Sequence, residues 1–233
     1  MSRGAETRTA GCLLFDYGGT LDSDGIAWKE RFHTLYRADG LSIAPADFDR
    51  LFYRADDALA GTILVDAALE QTVQLLVANL EAGLAQWLFA DPGRARRIGG
   101  AFLGTTYAMV ERNRPALESL QSRYRLGIVS NFYGNLLSVC RGLGISSLFD
   151  AVVDSEQLGV RKPDPAIFRA AMEPLGALPG STFMIGDSLR RDREGARRCG
   201  LGFIWIAPAE AHAEAEADHP AIERLDRLEE VLP

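Results

Sequence analysis

Lysine is almost absent from this chain: of 25 basic residues only Lys29 and Lys162 are lysines, the rest being arginine. A lysine inside a motif therefore stands out, because positive charge elsewhere is carried by the guanidinium group. Cysteine is scarce as well. Cys12, Cys140 and Cys199 are odd in number and far apart, which excludes a disulfide framework or thiolate metal centre and predicts reduced, mostly buried thiols. The three histidines, His33, His212 and His219, form no close pair, which argues against zinc. No stretch approaches the roughly 20 apolar residues of a membrane span, and residues 1–10 have charges but no apolar signal core. The expectation is a cytoplasmic protein. Basic charge is in deficit, and a net charge of -7 disfavours nucleic acid and anionic membranes as partners, since both reward a basic face. A small molecule is the expected partner.

What is present fits one large α/β domain or a core domain carrying a smaller one: 233 residues, 47% hydrophobic and 24% charged. Leu13 to Phe15 reads as a short buried strand ending at Asp16, followed by Gly18, Gly19 and Thr20. From Asp22 to about Arg112 the chain reads as helical. Phe32, Leu35 and Tyr36 share one helical face, and a second helix follows Pro45. Between Asp66 and Phe89, Leu69, Val73, Leu76, Leu80, Leu84 and Trp87 recur at steps of three or four, the stripe of an amphipathic helix. That stripe suits a small bundle or a dimer seam, so a monomer and a homodimer are both compatible. Asp91-Pro92-Gly93 breaks the pattern, and Arg94 to Val110 predicts another helix.

From Pro115 onward strands alternate with helices. Arg125 to Val129 ends at Ser130-Asn131, Ala151 to Val153 at Asp154, Thr182 to Ile185 at Gly186-Asp187, and Gly202 to Ile206 near Pro208. Helices are expected around Asn135 to Arg141, Pro165 to Glu173 and Arg190 to Cys199. Alternation of this kind predicts right-handed βαβ units and a parallel, Rossmann-like sheet, whose ligands sit beyond the carboxyl ends of the strands. Asp16, Ser130 and Asp187 then share one sheet edge. Ala209 to His219 reads as a solvated loop, and Ile222, Leu225, Leu228 and Leu232 as a final helix.

Four motifs stand in order along the chain: Asp16-Tyr17-Gly18-Gly19-Thr20-Leu21; Ser130-Asn131; residues 159–168 around Lys162-Pro163-Asp164-Pro165; and Gly186-Asp187-Ser188 with Asp192. In this set, which runs from about Gly11 to Ile206, the chain resembles the haloacid dehalogenase-like hydrolase superfamily, in its helical-cap, phosphatase-type subgroup. The resemblance implies an α/β core of residues 1–21 and 111–233 and an inserted all-α cap of residues 22–110. It also implies Asp16 as nucleophile, with Lys162, Ser130, Asn131 and the Gly19 amide around the phosphate of a small phosphorylated substrate. Asp16, the Gly18 carbonyl, Asp187 and Asp192 would hold Mg²⁺.

The residues support that chemistry independently. A phosphate ester is an anion facing an anionic nucleophile, so a site of this kind must neutralise charge, and Lys162 suits that need. Converging carboxylates repel each other unless a cation lies between them, and oxygen-only ligands suit Mg²⁺. One position departs from the family. Its phosphatases carry a second Asp two residues after the nucleophile, serving as general acid and base, and here that residue is Gly18. Losing such proton transfer typically costs about 10² to 10⁴ in rate. Three outcomes follow: a substrate with a good leaving group, such as an acyl phosphate; a substitute among Asp22, Asp24 and His33; or a weakly catalytic or non-catalytic binding protein. A 2-haloacid dehalogenase and a phosphonate hydrolase using Lys29 are further alternatives, although the dehalogenases carry Tyr at the Gly18 position and lack the Gly-Asp-Ser motif. Trp28, Arg31, Tyr36 and Arg37 are candidates for substrate choice.

Overall fold

The computed structural model describes residues 11–232 apart from 86, 88, 90 and 215–218. Its centre is a six-stranded, all-parallel sheet of β1 (Cys12–Phe15), β2 (Arg125–Ser130), β3 (Ala151–Asp154), β4 (Thr182–Gly186), β5 (Gly202–Ile206) and β6 (Ala221–Ile222) in the order β3-β2-β1-β4-β5-β6. The apolar runs are buried on both faces, as parallel strands covered by helices must be. In β1, Leu13 and Phe15 pack on one side and Leu14 on the other, the two-residue alternation of a strand. Chain order reverses between β1 and β4, the crevice where sheets of this topology bind ligands. Register sets the edge: Phe15 pairs with Ile128 and with Ile185, and the Asp16 N–H donates to Ile185 O at 2.9 Å.

The helices are α1 (Trp28–Ala38), α2 (Pro45–Asp57), α3 (Leu69–Leu84), α4 (Arg94–Arg123), α5 (Leu136–Gly142), α6 (Ser155–Leu158), α7 (Pro165–Leu175) and α8 (Glu194–Cys199). Pro at the first position of α7, capped by Asp164 accepting from the Ala166 N–H at 2.8 Å, starts that helix where its sequence predicts. The stripe of α3 is buried from Leu69 to Leu84. Trp87, expected on the same face, lies beyond the helix end and is 47% exposed. In the first helical layer Phe32 stacks on Phe102 with ring centroids 4.3 Å apart.

Three sequence expectations are corrected. The helix expected over Arg94–Val110 continues unbroken to Arg123 with Pro115 inside it. Its amino-terminal half buries Ile98 and Phe102, and its carboxyl-terminal half buries Leu117 and Leu120. The expected carboxyl-terminal helix is instead the short strand β6 followed by a tight 3₁₀ segment, Leu225–Glu230. Ile222 joins the sheet because β5 has an open edge: Trp205 N–H donates to Pro220 O at 2.9 Å and Ala207 N–H to Ile222 O at 3.0 Å. His219, expected in a solvated loop, is buried beside the rings of Phe203 and Trp205; residues 209–214 form another 3₁₀ segment.

One buried carboxylate ties the turn after β1 to the helices. Asp22 is fully buried and accepts from Gly19 N–H at 2.7 Å, Trp28 Nε1 at 2.7 Å and Arg31 Nη1 at 2.8 Å. Arg31 also donates to Thr106 Oγ1 at 2.7 Å on α4 and lies 3.9 Å from the Phe102 ring centroid. Asn113 Nδ2 completes the link by donating to Leu21 O at 3.1 Å. Removing one member of a buried charge pair leaves the other uncompensated, a loss of about 3–5 kcal/mol. Asp22→Ala is therefore expected to lower unfolding free energy by that amount in urea titration; a change below about 1 kcal/mol would contradict this assignment.

Candidate active site

The carboxyl ends of β1, β2 and β4 deliver the predicted residues to one place. Asp16 follows β1, Ser130 closes β2, and Lys162 enters from the loop preceding α7. Ser130 Oγ donates to Asp16 Oδ1 at 2.8 Å. Lys162 Nζ donates to Asp16 Oδ1 at 2.6 Å and to Asp192 Oδ1 at 2.7 Å. Asn131 grips the backbone of Lys162 from both sides: Lys162 N–H donates to Asn131 Oδ1 at 2.7 Å, and Asn131 Nδ2 donates to Lys162 O at 3.2 Å. Lys162 is 5% exposed. Burial would depress its ammonium group, but Asp16 and Asp192 outweigh that and hold its pKa above the usual value.

Asp16, Asp187 and Asp192 each place a carboxylate oxygen within 4.8 Å of the others. Burial, followed by the charges of Asp16 and Asp192, pushes Asp187 well above the ordinary carboxylate range. Burial also pushes Asp192 up to about 6, opposed by Lys162. One ammonium for three carboxylates leaves the cluster under-compensated, and its hard oxygen donors fit a divalent cation such as Mg²⁺. Two glycines make room for the cluster. A Cβ on Gly19, whose φ is +94°, would come within 2.5 Å of Asp187 Oδ2, and one on Gly186 within 2.3 Å of Asp192 Oδ2.

The remaining candidates separate. Gly18 lines the central cavity of ≈ 670 Å³ together with Asp16, Ser130, Asn131, Lys162, Asp187 and Asp192. The Gly19 N–H, expected at the phosphate, donates to Asp22 instead. Asp22 is enclosed by its three donors; burial raises its carboxyl pKa, with Arg31 opposing, and it is not among the residues lining the cavity. Asp24 is paired with Arg112 at 2.8 Å. His33 stacks on Phe48 and, with Arg37, lines a separate cavity. None of Asp22, Asp24 and His33 is among the residues lining the central cavity. Of the residues considered for substrate choice, Trp28 lines the central cavity, Arg31 is held by Asp22, and Tyr36 is buried among the helices.

Residues that the sequence did not single out also line the cavity: Asp56 from α2, Tyr133 just after β2, and Arg161, Arg190 and Arg191 from the loops around Lys162 and Asp192. Tyr133 OH donates to Asp56 Oδ1. Tyr133 could have been suspected because it stands three residues after Ser130. Asp56 had no such signal, since only the packing of α2 brings it there.

Fold and site together define a Rossmann-like α/β protein with an acidic, lysine-bridged centre at the carboxyl ends of its strands. The family model for haloacid dehalogenase-like hydrolases matches residues 11–200, and the chain belongs to that family. It is 34% identical over 131 residues to bovine (Bos taurus) haloacid dehalogenase-like hydrolase domain-containing protein 3, covering 55% of this chain and 52% of the relative. It is 37% identical over 125 residues to a phosphoserine phosphatase from Thermus thermophilus, covering 49% and 48%. The chain thus spans about half the length of these curated relatives. Among solved structures, a dehalogenase with an intermediate complex superposes with a TM-score of 0.63 over 96% of this chain and 97% of that one, at 20% identity. At that identity the likeness shows the fold alone.

Two outcomes follow from the geometry. Asp187→Asn removes a carboxyl whose ionised form burial and the neighbouring carboxylates disfavour, and should raise the melting temperature of the metal-free protein at pH 7. The advantage should shrink as pH falls towards about 4, the carboxyl value in the unfolded chain, where the wild-type cluster no longer carries a charge penalty. Calorimetry across that range checks both. A Cβ at position 18 would lie 3.3 Å from Trp28 Nε1, and Asp22 holds that indole in place. Gly18→Asp is accordingly expected to cost about 1–3 kcal/mol in chemical denaturation through overpacking.

Proposed function

We propose that this protein is a Mg²⁺-dependent phosphohydrolase that moves the phosphoryl group of a small phosphorylated metabolite to Asp16 and then to water. The observation that carries the reading is the third carboxylate: Asp187 beside Asp16 and Asp192 makes a cluster that could hold a divalent cation, a feature that displacement of a halide from carbon does not call for. Asp16 Oδ1 is engaged by Ser130 and Lys162, which orients the carboxylate and leaves Oδ2 for attack on phosphorus. Ser130 and Lys162 would exchange these contacts for oxygens of the transferring group, while the Asn131 side chain keeps the lysine loop in position and its backbone amide would donate to the same group. Asp16, Asp187, Asp192 and the Gly18 carbonyl would hold Mg²⁺, which when bound supplies the positive charge that a phosphate dianion needs beside these carboxylates.

Position 18 supplies no proton. An acyl phosphate, whose leaving group departs as a stabilised anion, needs none; an ester of an alkyl alcohol or an unactivated phenol needs one from elsewhere in the cavity. In this reading residues 22–110 are the cap that selects the substrate, residues 1–21 and 111–233 the hydrolytic core, and the protein works in the cytoplasm as a monomer or homodimer on small molecules. The phosphatase-named relative supports the substrate class. One observation favours a second reading, a fold that binds phosphate without turnover: the space beside Gly18 is taken by the Trp28 indole.

Phosphate release from a panel including acetyl phosphate and p-nitrophenyl phosphate decides between them. Release is expected with Mg²⁺, lost with EDTA, and reduced at least about 10³-fold in Asp16→Asn. Equal inactivity of wild type and variant across the panel would select the binding protein. Halide release from 2-chloropropionate without metal would select the dehalogenase.

A further inference from the structure

In-line transfer to Asp16 sends the leaving oxygen away from the sheet edge, towards the helical layer. A group that protonates it must therefore hang over the cavity from that side. Most titratable side chains lining the cavity are already committed. Lys162 bridges Asp16 and Asp192, Lys29 is paired with Asp49 at 2.8 Å and Glu30 at 3.0 Å, and Asp187 belongs to the carboxylate cluster. Asp57 is exposed.

Asp56 differs from all of these. It is half-buried near the end of α2, and the hydroxyl of Tyr133, itself 8% exposed, donates to its Oδ1. The groups whose charges act on it are Asp57 on its own helix and Arg161 and Arg191 across the cavity. Tyr133, Arg161 and Arg191 stand three, one and one residues from Ser130, Lys162 and Asp192. Asp56 thus lines the same cavity as Asp16, Ser130 and Lys162, among the chain neighbours of three site residues.

We propose that Asp56, partnered by Tyr133, is the acid and base of the reaction, an inference that rests on the phosphohydrolase reading. In the first half-reaction Asp16 Oδ2 forms a bond to phosphorus, the bond from phosphorus to the ester oxygen breaks, and the Asp56 carboxyl proton passes to that oxygen, releasing an alcohol. The Tyr133 hydroxyl stabilises the resulting carboxylate. In the second, Asp56 takes a proton from water, whose oxygen bonds to phosphorus as the acyl phosphate bond to Asp16 breaks. Inorganic phosphate leaves, and both side chains return to their starting states. Burial holds the Asp56 carboxyl above the ordinary range, with the Tyr133 hydrogen bond opposing, so the protonated form extends to higher pH than for a free aspartate.

The test uses the full chain with Mg²⁺ and measures kcat/KM for acetyl phosphate, p-nitrophenyl phosphate and phenyl phosphate. Asp56→Asn, which keeps shape and the acceptor for Tyr133, is expected to lose about 10²-fold or more on phenyl phosphate, with a loss below about 3-fold on acetyl phosphate. Equal losses on both, or none, overturn the inference while leaving the phosphohydrolase reading intact. No turnover by the wild type overturns both. Tyr133→Phe provides an independent reading, because removing the opposing hydrogen bond should move the alkaline limb of the phenyl phosphate profile to higher pH. An unmoved limb overturns the assignment, since a purely structural role would not shift it.

Discussion

Lys162 is the group on which the site depends. Its ammonium is buried and reaches two carboxylates from different parts of the chain, Asp16 after β1 and Asp192 after β4. A charge so placed is tolerated only while its partners are in position, and the partners are tolerated only because of it. Much of the surrounding structure maintains that arrangement. Asn131 holds the lysine's backbone, Ser130 fixes the rotation of Asp16, and glycines at 19 and 186 leave room for carboxylates that a side chain would displace. The cluster remains short of positive charge, which is why it suits a cation, and burial, with the neighbouring carboxylates, pushes Asp187 and Asp192 upward.

A second buried carboxylate does the opposite work. Asp22 is saturated by Gly19, Trp28 and Arg31, and through Arg31 it reaches Thr106 and the backbone of Phe102 on α4. The two acids are six residues apart, yet Asp16 faces the cavity and Asp22 the packed helices. Their difference is one of surroundings: Asp16 stands at an open sheet edge, while Asp22 is reached by donors from three directions. The same network holds the Trp28 indole against Gly18, so the absence of a side chain at 18 and the position of Trp28 are one feature of packing.

Chemistry at the helical side of the cavity is assembled from both layers. Asp56 comes from α2, and Tyr133 follows Ser130. Any displacement of α2 relative to β2 would change that contact, whereas contacts among Asp16, Ser130 and Lys162 lie within the sheet edge and its loops. Positioning of phosphate and proton exchange with the leaving group would then have different mechanical origins.

The amino-acid sequence alone predicted the parallel strands, from apolar runs that alternate with helices and end in Asp or Ser, and its resemblance to the family pointed to Asp16, Ser130, Asn131, Lys162, Asp187 and Asp192, which the fold brings around one cavity. It misplaced Ile222 and Trp87, where a continued periodicity hid a strand in one case and a helix end in the other. It also could not separate Asp22 and Asp24 from acids that face the cavity, since local pattern is silent on which way a buried carboxyl points. Only the tertiary structure decided that Asp22 is enclosed, that Trp28 covers Gly18, that α4 runs unbroken through Pro115, and that Asp56 meets Tyr133. Each of these depends on contacts between residues distant in the chain, and such contacts are set by how whole elements pack and leave no periodic trace in the residues themselves.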